Sequence, residues 1–477
     1  MMKNKTLIFN LFAFSPALVH PNLRFAPIGV PIKRSRRWGK LTSAGLLLLA
    51  SLTVQCSPSL ETAMEYQHNE QYTQAITCFE EIIYNEPYNP NALFSLGCCY
   101  LALGDYTKAI NSFDTILAHS PQTLPAMYNK AFTYKTMGDV ATAIELYQEI
   151  IAINPEYEPA QLGLGFAYVT NGDFEKGWKQ HERYLKQSGK NGDALRKLLN
   201  ENKIGYKKIL LRPEGGLGDT LNFIRYAEML KDMYTDVIVA CQKPLIPLLS
   251  RCPYIDQLIP CGSPLPEYDA DATLMSLPAI FNDNDQTVPR NIPYLFAEPG
   301  LVAYWKNRLA SDTNFKIGIC WQADFNNDKP SKLPIARRGV PLHNFAPLAA
   351  IDGVSLYSLQ KYDGTEQIGT AHFKLITFEN LDEYAGPFMD TAAIINNLDL
   401  IITVDTAMVH LAGGLGAKVW LLHPYATADW RWICHRDDSY WYPDLRIFKQ
   451  QKPFDYEGVI EQVRVALKEL IISSRSS

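Results

Sequence analysis

The chain has 477 residues, of which 47% are hydrophobic and 20% charged, and its formal net charge is -5. This composition is ordinary for a globular protein of two or three domains, and it excludes a largely disordered chain and a polytopic membrane protein. It gives no electrostatic case for nucleic-acid binding, and nine cysteines without a C-x-x-C pair indicate neither a disulfide scaffold nor a zinc site.

Residues 1–56 form a leader without the pattern of a folded domain. A basic cluster at 33–40 precedes an apolar run at 41–54, which is shorter than the about 20 residues that a membrane helix needs. The run suits the apolar part of a signal segment, and the Gln55-Cys56 step loosely resembles a lipoprotein cleavage site. A short buried or interfacial helix is the alternative. The leader therefore allows membrane association through 41–54 and leaves export or lipid anchoring open.

Residues 57–190 repeat with a period of 34. Four sets of identical residues recur at this spacing of 34. They are the Gly-Asp pairs at 104–105, 138–139 and 172–173, the prolines Pro87, Pro121 and Pro155, the tyrosines Tyr66, Tyr100, Tyr134 and Tyr168, and the alanines Ala75, Ala109 and Ala143. In each unit Gly-Asp breaks one apolar helix and caps a second, which the proline ends. The pattern resembles the tetratricopeptide repeat, with about four units.

That resemblance implies an α-solenoid whose concave surface binds a protein partner or a second copy of the chain. The alternative is a spacer that only stabilises its neighbour. The last unit carries Gly177-Trp178 where the other units carry Ala-Ile, so we expect it to dock on another domain.

The segment 203–310 opens as a strand at 208–211, a glycine-rich turn, a helix at 220–231 and a strand at 237–240. Glycines in such a turn let backbone N–H groups approach an anionic ligand, here around Gly216, Leu217 and Gly218. The alternative is a plain tight turn in which Asp219 only caps the helix.

The segment 311–477 contains further strands at 317–321, 354–359, 400–404 and 419–422. Ligands of open parallel sheets bind beyond the carboxyl ends of the strands, where Asp219, Lys361, Asp405 and Thr406 lie. His410 follows Thr406 by one helical turn and so shares its face.

Two of these motifs, EGGLGDTLNFIRY at 214–226 and TVDTAMVHLAGGLG at 403–416, resemble glycosyltransferase family 9, the heptosyltransferase-like enzymes. The similarity is to the branch fused to tetratricopeptide repeats. Shorter matches are SLP at 276–278, SLQK at 358–361, DWRW at 429–432 and WYP at 441–443. The resemblance implies an α + α/β chain: the α-solenoid, then a GT-B pair of Rossmann-like domains at 203–310 and 311–477. It also implies that a last helix, about 456–472, crosses back toward the first half.

The same resemblance implies transfer of a sugar from a nucleotide-diphosphate sugar to a protein or glycan acceptor, with no metal or other cofactor. Asp219 matches the proposed general base, and Asp405 matches the aspartate that holds donor hydroxyls. The groups near the donor diphosphate would be Gly216, Leu217, Gly218, Thr406, Ala407 and His410. The alternative for His410 is a helix histidine that is hydrogen-bonded within the fold and binds no ligand. Lys361 either adds positive charge beside the diphosphate or is a solvated lysine.

Three further features have competing interpretations. The basic residues Lys329, Lys332, Arg337 and Arg338 either serve the diphosphate or lie in a solvated loop. We expect the tryptophans Trp430, Trp432 and Trp441 to pack at a domain seam rather than stack on a base. Asp269 and Asp271 form a D-x-D sequence, which we interpret as polar residues at a strand edge and not as a metal site.

Two functions therefore remain: a cytoplasmic, nucleotide-sugar-dependent glycosyltransferase whose repeats recruit a partner or acceptor, and a non-catalytic scaffold with a degenerate GT-B half. The cytoplasm is favoured because nucleotide sugars are made there. The leader argues for export or a membrane.

Overall fold

The computed structural model describes residues 58–187, 192–323, 338–426 and 429–475. The leader, the apolar run at 41–54 and the basic residues Lys329, Lys332 and Arg337 lie outside these ranges.

The N-terminal part of the described chain is a stack of four helical pairs. These are α1 (Leu60–His68) and α2 (Tyr72–Asn85), α3 (Pro90–Leu103) and α4 (Tyr106–His119), α5 (Leu124–Met137) and α6 (Val140–Ile153), and α7 (Glu158–Thr170) and α8 (Phe174–Gln187). Gly104 and Gly138 adopt the left-handed conformation that ends α3 and α5, with φ of 81° and 96°. The next residues, Asp105 and Asp139, cap α4 and α6 by accepting hydrogen bonds from backbone N–H groups. The Gly-Asp columns thus have the structural role that the sequence predicts.

The first α/β unit follows α9 (Asp193–Asn200). Its elements are β1 (Lys208–Arg212), α10 (Leu217–Phe223), α11 (Tyr226–Asp232), β2 (Asp236–Cys241), α12 (Ile246–Leu249), β3 (Gln257–Pro260), β4 (Ala270–Thr273) and α13 (Leu277–Ile280). In the described residues the strands form a parallel sheet in the order β3-β2-β1-β4, with Leu210 paired to Ile238 on one side and Asp271 on the other.

The helix expected at 220–231 is two helices instead. The break falls at Arg225, whose Nε donates to the Asn222 carbonyl at 2.8 Å. The Arg225 guanidinium is 2% exposed and donates to the carbonyls of Pro289 and Trp441. The separation into α10 and α11 lets this buried side chain reach those acceptors.

The second α/β unit begins with α14 (Pro299–Leu309). It continues with β5 (Phe315–Cys320), α15 (Ala346–Ala349), β6 (Val354–Ser358), α16 (Met389–Ile395), β7 (Leu400–Val404), α17 (Ala407–Gly414), β8 (Val419–His423), β9 (Leu445–Lys449) and α18 (Tyr456–Arg475). In the described residues its strands are parallel in the order β6-β5-β7-β8-β9. Strand order reverses at β1 in the first sheet and at β5 in the second, and such points are where α/β sheets bind ligands.

The final helix packs differently from the expectation. The buried apolar residues of α18, Val459, Ile460, Val463, Leu467 and Ile471, belong to the core of the second sheet together with Phe345 and Leu348. The prediction that this helix crosses back to the first half is therefore wrong: its apolar stripe matches the second sheet.

The repeats and the α/β half share one core. Leu162, Phe166 and Trp178 belong to the same buried cluster as Phe223 and Trp430. Trp178 lies edge-on to Trp430, with ring centroids 5.4 Å apart. The last repeat thus docks on the α/β half, as Gly177-Trp178 indicates.

Candidate active site

The turn after β1 and the turn after β7 meet where the two sheets face each other. A Cβ atom built on Gly218 would lie 3.4 Å from Ala407 Cα and 3.0 Å from His410 Cδ2. Gly218 is the second residue of α10, and Ala407 is the first of α17. A methyl group at Gly218 would be tight against His410 and in ordinary van der Waals contact with Ala407, so the N-terminal ends of the two helices pack directly against each other.

The turn after β1 fixes Asp219. Gly215 has φ of 89° and Gly216 is extended, which brings the Gly216 N–H to 2.7 Å from Asp219 Oδ2. The other oxygen, Oδ1, accepts from Arg431. The Asp219 side chain is 24% exposed, and Leu217 packs its side chain against the shared core. The predicted base is thus already hydrogen-bonded through both oxygens.

The turn after β7 buries Asp405 and caps α17. Thr406 Oγ1 accepts from the Met408 N–H at 3.2 Å. Asp405 is 1% exposed, its carbonyl accepts from Arg338 Nη1 at 2.9 Å, and its Oδ2 lies 3.5 Å from Arg338 Nε. Burial raises the pKa of Asp405, an effect that Arg338 opposes. The Asp405 carboxylate is thus buried, pairs with Arg338 and also interacts with the Trp432 side chain.

Arg431 joins the turn after β1 to the loop after β8, which carries Asp429. Its Nη1 donates to Asp429 Oδ2 at 2.8 Å and to Oδ1 at 3.1 Å, its Nη2 donates to Asp219, and its Nε lies 3.4 Å from Asn222 Oδ1. The guanidinium lies over the Trp430 ring, 4.6 Å from the centroid. Burial would raise the pKa of Asp429, but the charges of Arg431 and Arg338 hold it below its usual value. Asp429 is therefore a buried carboxylate that keeps Arg431 in place.

A second set of buried polar groups lies behind the contact between Gly218 and Ala407. Tyr442 Oη accepts from Asn222 Nδ2 at 2.8 Å and lies 2.8 Å from His410 Nδ1. The His410 ring also stacks on Trp432, with centroids 5.9 Å apart. Burial, assisted by Arg431, holds the pKa of His410 well below its usual value, so the ring is neutral. His410 is thus hydrogen-bonded inside the fold.

The remaining candidates lie elsewhere. Lys361 Nζ donates to the Leu381 carbonyl at 2.5 Å, and its contacts place it beside Asp382 rather than Asp405. The Trp430 ring stacks on Phe166 and Phe223 in the seam between the repeats and the α/β half.

The D-x-D aspartates are each engaged by a cation. Asp269 pairs with Lys207 at 3.3 Å, and Asp271 pairs with Arg212 at 3.0 Å. Across the described ranges, no group of three or more His, Cys, Asp or Glu side chains has the arrangement of a metal site. In the same residues, no helix combines the length and the apolar character that crossing a lipid bilayer requires.

Sequence reasoning assigned no role to Arg431, Asp429, Asn222 or Tyr442. Asp429 and Arg431 do lie in the DWRW motif, where two opposite charges alternate with two tryptophans, a detectable signal of buried charge. Their connection to Asp219 spans more than 200 positions, with 212 between Asp219 and Arg431, so local spacing does not show it.

Family models match the repeat region. The model described as anaphase-promoting complex, cyclosome, subunit 3 matches residues 68–150, and the tetratricopeptide repeat model matches residues 136–199. Among known proteins, Protein FlbA of Caulobacter vibrioides is 25% identical over 302 residues, which are 56% of this chain. The chain spans about half of that relative, 47% of its length.

Two solved structures are similar to the C-terminal half. A glycosyl transferase family 9 protein from Veillonella parvula covers 57% of this chain and 98% of its own, at 13% identity and a TM-score of 0.42. The E. coli ADP-heptose lps heptosyltransferase II covers 56% of this chain and 99% of its own length, at 15% identity and a TM-score of 0.39. The chain thus has tetratricopeptide repeats at its N-terminus, followed by an α/β half whose described strands form parallel sheets.

Proposed function

We propose that the α/β half binds a nucleotide-diphosphate sugar between its two sheets and transfers the sugar to a protein or glycan acceptor. The observation that carries this proposal is the meeting of Gly218, from the turn after β1, with Ala407 and His410, from α17. Carboxyl-end turns of parallel sheets are the usual ligand sites of such folds, and here two of them are joined.

The turn after β7 is the proposed donor site. The N-terminus of α17 carries a partial positive charge that favours a diphosphate at Thr406 and Ala407. Arg338, 20% exposed at its side chain, adds a full positive charge beside them. The Asp405 carboxylate is the proposed acceptor for a sugar or ribose hydroxyl, and because it is buried against Arg338, donor binding has to rearrange that contact. These groups suit a leaving nucleoside diphosphate without a metal ion.

Asp219 is the proposed base. In the transfer, the acceptor oxygen bonds to the anomeric carbon, the bond from that carbon to the diphosphate oxygen breaks, and the acceptor proton passes to Asp219. The carboxylate is partly exposed, so an acceptor hydroxyl can approach it. Arg431 and the Gly216 N–H hold it in one orientation, which favours a defined acceptor geometry.

A non-catalytic scaffold is the second candidate, and one observation favours it. Both Asp219 oxygens already accept hydrogen bonds, one of them from Arg431, as expected of a carboxylate with a purely structural role. The two functions differ in a thermal-shift titration with uridine, adenosine and guanosine diphosphates. Stabilisation by one of them supports the transferase, and no stabilisation by any of them supports the scaffold.

The direct test is mass spectrometry of products from a panel of nucleotide sugars. We expect one donor to be consumed by the wild-type chain and Asp405→Asn to lose that turnover. Asp399→Asn is the matched control, because Asp399 is an exposed aspartate that immediately precedes β7 and accepts from the Lys316 N–H at 2.6 Å. Equal turnover in Asp405→Asn and the wild type would contradict the site.

The partner and the location follow from the same proposal. The repeats would recruit a protein partner or the acceptor, and the enzyme would work in the cytoplasm, where its donor is made. Membrane association through residues 41–54 is a separate proposal, which fractionation of the native protein tests.

A further inference from the structure

Two alternate helices of the repeats, α3 and α7, contain long runs of buried residues. Residues 96–102 of α3 and 160–167 of α7 are buried without interruption. The buried residues of α4 and α6 instead recur every three or four positions, as in Val140, Ala143, Tyr147 and Ile150. The face of the array formed by α3, α5 and α7, here the inner face, is therefore covered by another part of the chain.

Residues 424–426 and 429–434, here the seam loop, lie against this face and its edge. The Tyr425 ring stacks on Tyr106, the first residue of α4, with centroids 6.1 Å apart, and Ala426 is 1% exposed in the apolar cluster of α1 to α4. Trp430 stacks on Phe166 of α7 with an interplanar angle of 4°. At the far end, the Cys434 N–H donates to the carbonyl of Thr170, the last residue of α7, at 3.4 Å.

The seam loop also carries the two charges at the centre of the candidate site. Asp429 and Arg431 lie between the anchors Ala426 and Cys434, and Arg431 is the donor that holds Asp219. The position of Arg431 consequently depends on contacts with the repeats as well as on the α/β half.

Lys135 is a buried cation on the inner face. It lies in the last turn of α5, is 8% exposed, and interacts electrostatically with Asp429 and Cys434 of the seam loop. Burial lowers the pKa of Lys135, and the negative charge of Asp429 opposes this change without cancelling it. A lysine buried on a repeat helix is costly, and Asp429 offsets part of that cost.

We propose that the inner face of the repeats binds the chain's own seam loop and thereby sets the position of Asp429 and Arg431, with Lys135 as a positioning residue. The effect on donor binding rests on the proposed function; the positioning itself does not. An external protein ligand that uses this part of the inner face has to displace the seam loop, so a partner that binds while the site is intact uses another surface of the array.

The test is hydrogen exchange by mass spectrometry on the full chain, comparing wild type, Lys135→Met and Lys135→Arg. We expect Lys135→Met to raise amide exchange in peptides covering 429–436 by about tenfold, because the loop loses a buried charge contact. Exchange in β7 should stay unchanged, and Lys135→Arg should restore the wild-type rate. Lys130→Met is the control: Lys130 lies on the same helix and pairs with Asp114 of α4 at 2.6 Å, within the repeats.

Tyr425→Ala is a second variant, made on the loop side of the contact, and should raise the same exchange without changing any residue of the repeats. Seam-loop exchange equal to wild type in both Lys135→Met and Tyr425→Ala would overturn the proposal, as would an equal increase in Lys130→Met. Nucleoside diphosphate affinity, measured on the same samples, separates the two proposals. If no sample binds, the transferase fails, while the exchange data still decide whether the repeats position the loop.

Discussion

Replacing Arg431 with methionine removes the cation that joins Asp219, in the turn after β1, to Asp429, in the loop after β8. Arg431 makes three charge-assisted hydrogen bonds, two to Asp429 and one to Asp219, and its side chain is 3% exposed. At about 1.5–3 kcal/mol for each such bond, the gross loss is about 5–9 kcal/mol. Part of this is recovered because the arginine no longer has to be desolvated. Breaking a buried ion pair from one side costs about 3–5 kcal/mol net, which we expect here at neutral pH.

The cost should depend on pH with a definite sign. In the wild type the folded pKa of Asp429 is lowered, so its contribution to stability is present above its unfolded pKa of 3.8 and is lost as the pH falls through the folded value. In Arg431→Met the main opposing charge is gone, so burial raises the pKa of Asp429. Its ionisation then destabilises the fold as the pH rises above 3.8. The stability difference between wild type and variant should therefore widen from acid to neutral pH.

Chemical denaturation of both proteins at about pH 4.5 and pH 7.5 measures this difference. Arg436→Met is the control, because Arg436 pairs with Asp438 at the surface, where side chains are 35% and 52% exposed, and should cost about 0–1 kcal/mol. A cost for Arg431→Met that matches the control, or that is larger at pH 4.5 than at pH 7.5, would refute the reasoning.

Three further changes test other parts of the account. Gly218→Ala should weaken nucleoside diphosphate binding about tenfold or more in calorimetric titration, because its methyl group pushes against Ala407 and His410; Gly369→Ala, which points into open space, should not. In Asp283→Asn the melting temperature should fall less between about pH 5 and pH 8 than it does in the wild type. Burial raises the pKa of Asp283 to about 7, and its stabilising neutral form is lost as the pH rises through that value. Melting temperatures that change in parallel with pH in the two proteins would contradict this. Trp178→Ala should lower the free energy of unfolding by about 3–5 kcal/mol in denaturant titration, since the ring is 2% exposed in the shared core, and a loss under about 1 kcal/mol would contradict that packing.

The sequence predicts the repeats well because their signals are local. A glycine that must be left-handed and an aspartate that caps the next helix lie side by side, as in Gly104-Asp105, and the period of 34 multiplies the signal. The strands after residue 203 are likewise visible as short apolar runs. Asp219 and Asp405 could be proposed because each follows such a strand directly.

The features that the sequence does not predict depend on contacts between residues that are distant in the chain. The break at Arg225 arises because its acceptors lie at Pro289 and Trp441. The last helix is expected to reach the first α/β unit but packs on the second, because an apolar stripe does not identify the sheet that it covers. Lys361 follows a strand end, as Asp405 does, yet its ammonium reaches the Leu381 carbonyl, and a loop contact of that kind has no sequence pattern.

The measurement that tests the central claim most directly is a double-mutant cycle on nucleoside diphosphate affinity, with one change in each turn. Gly218→Ala alters the turn after β1, and Asp405→Asn alters the turn after β7. If both turns bind one diphosphate group, each change weakens binding and the two effects are not additive, because Gly218 touches the residues that follow Asp405. If Gly218→Ala leaves the affinity at the wild-type value while Asp405→Asn lowers it, the two sheets do not share one site and the account is contradicted.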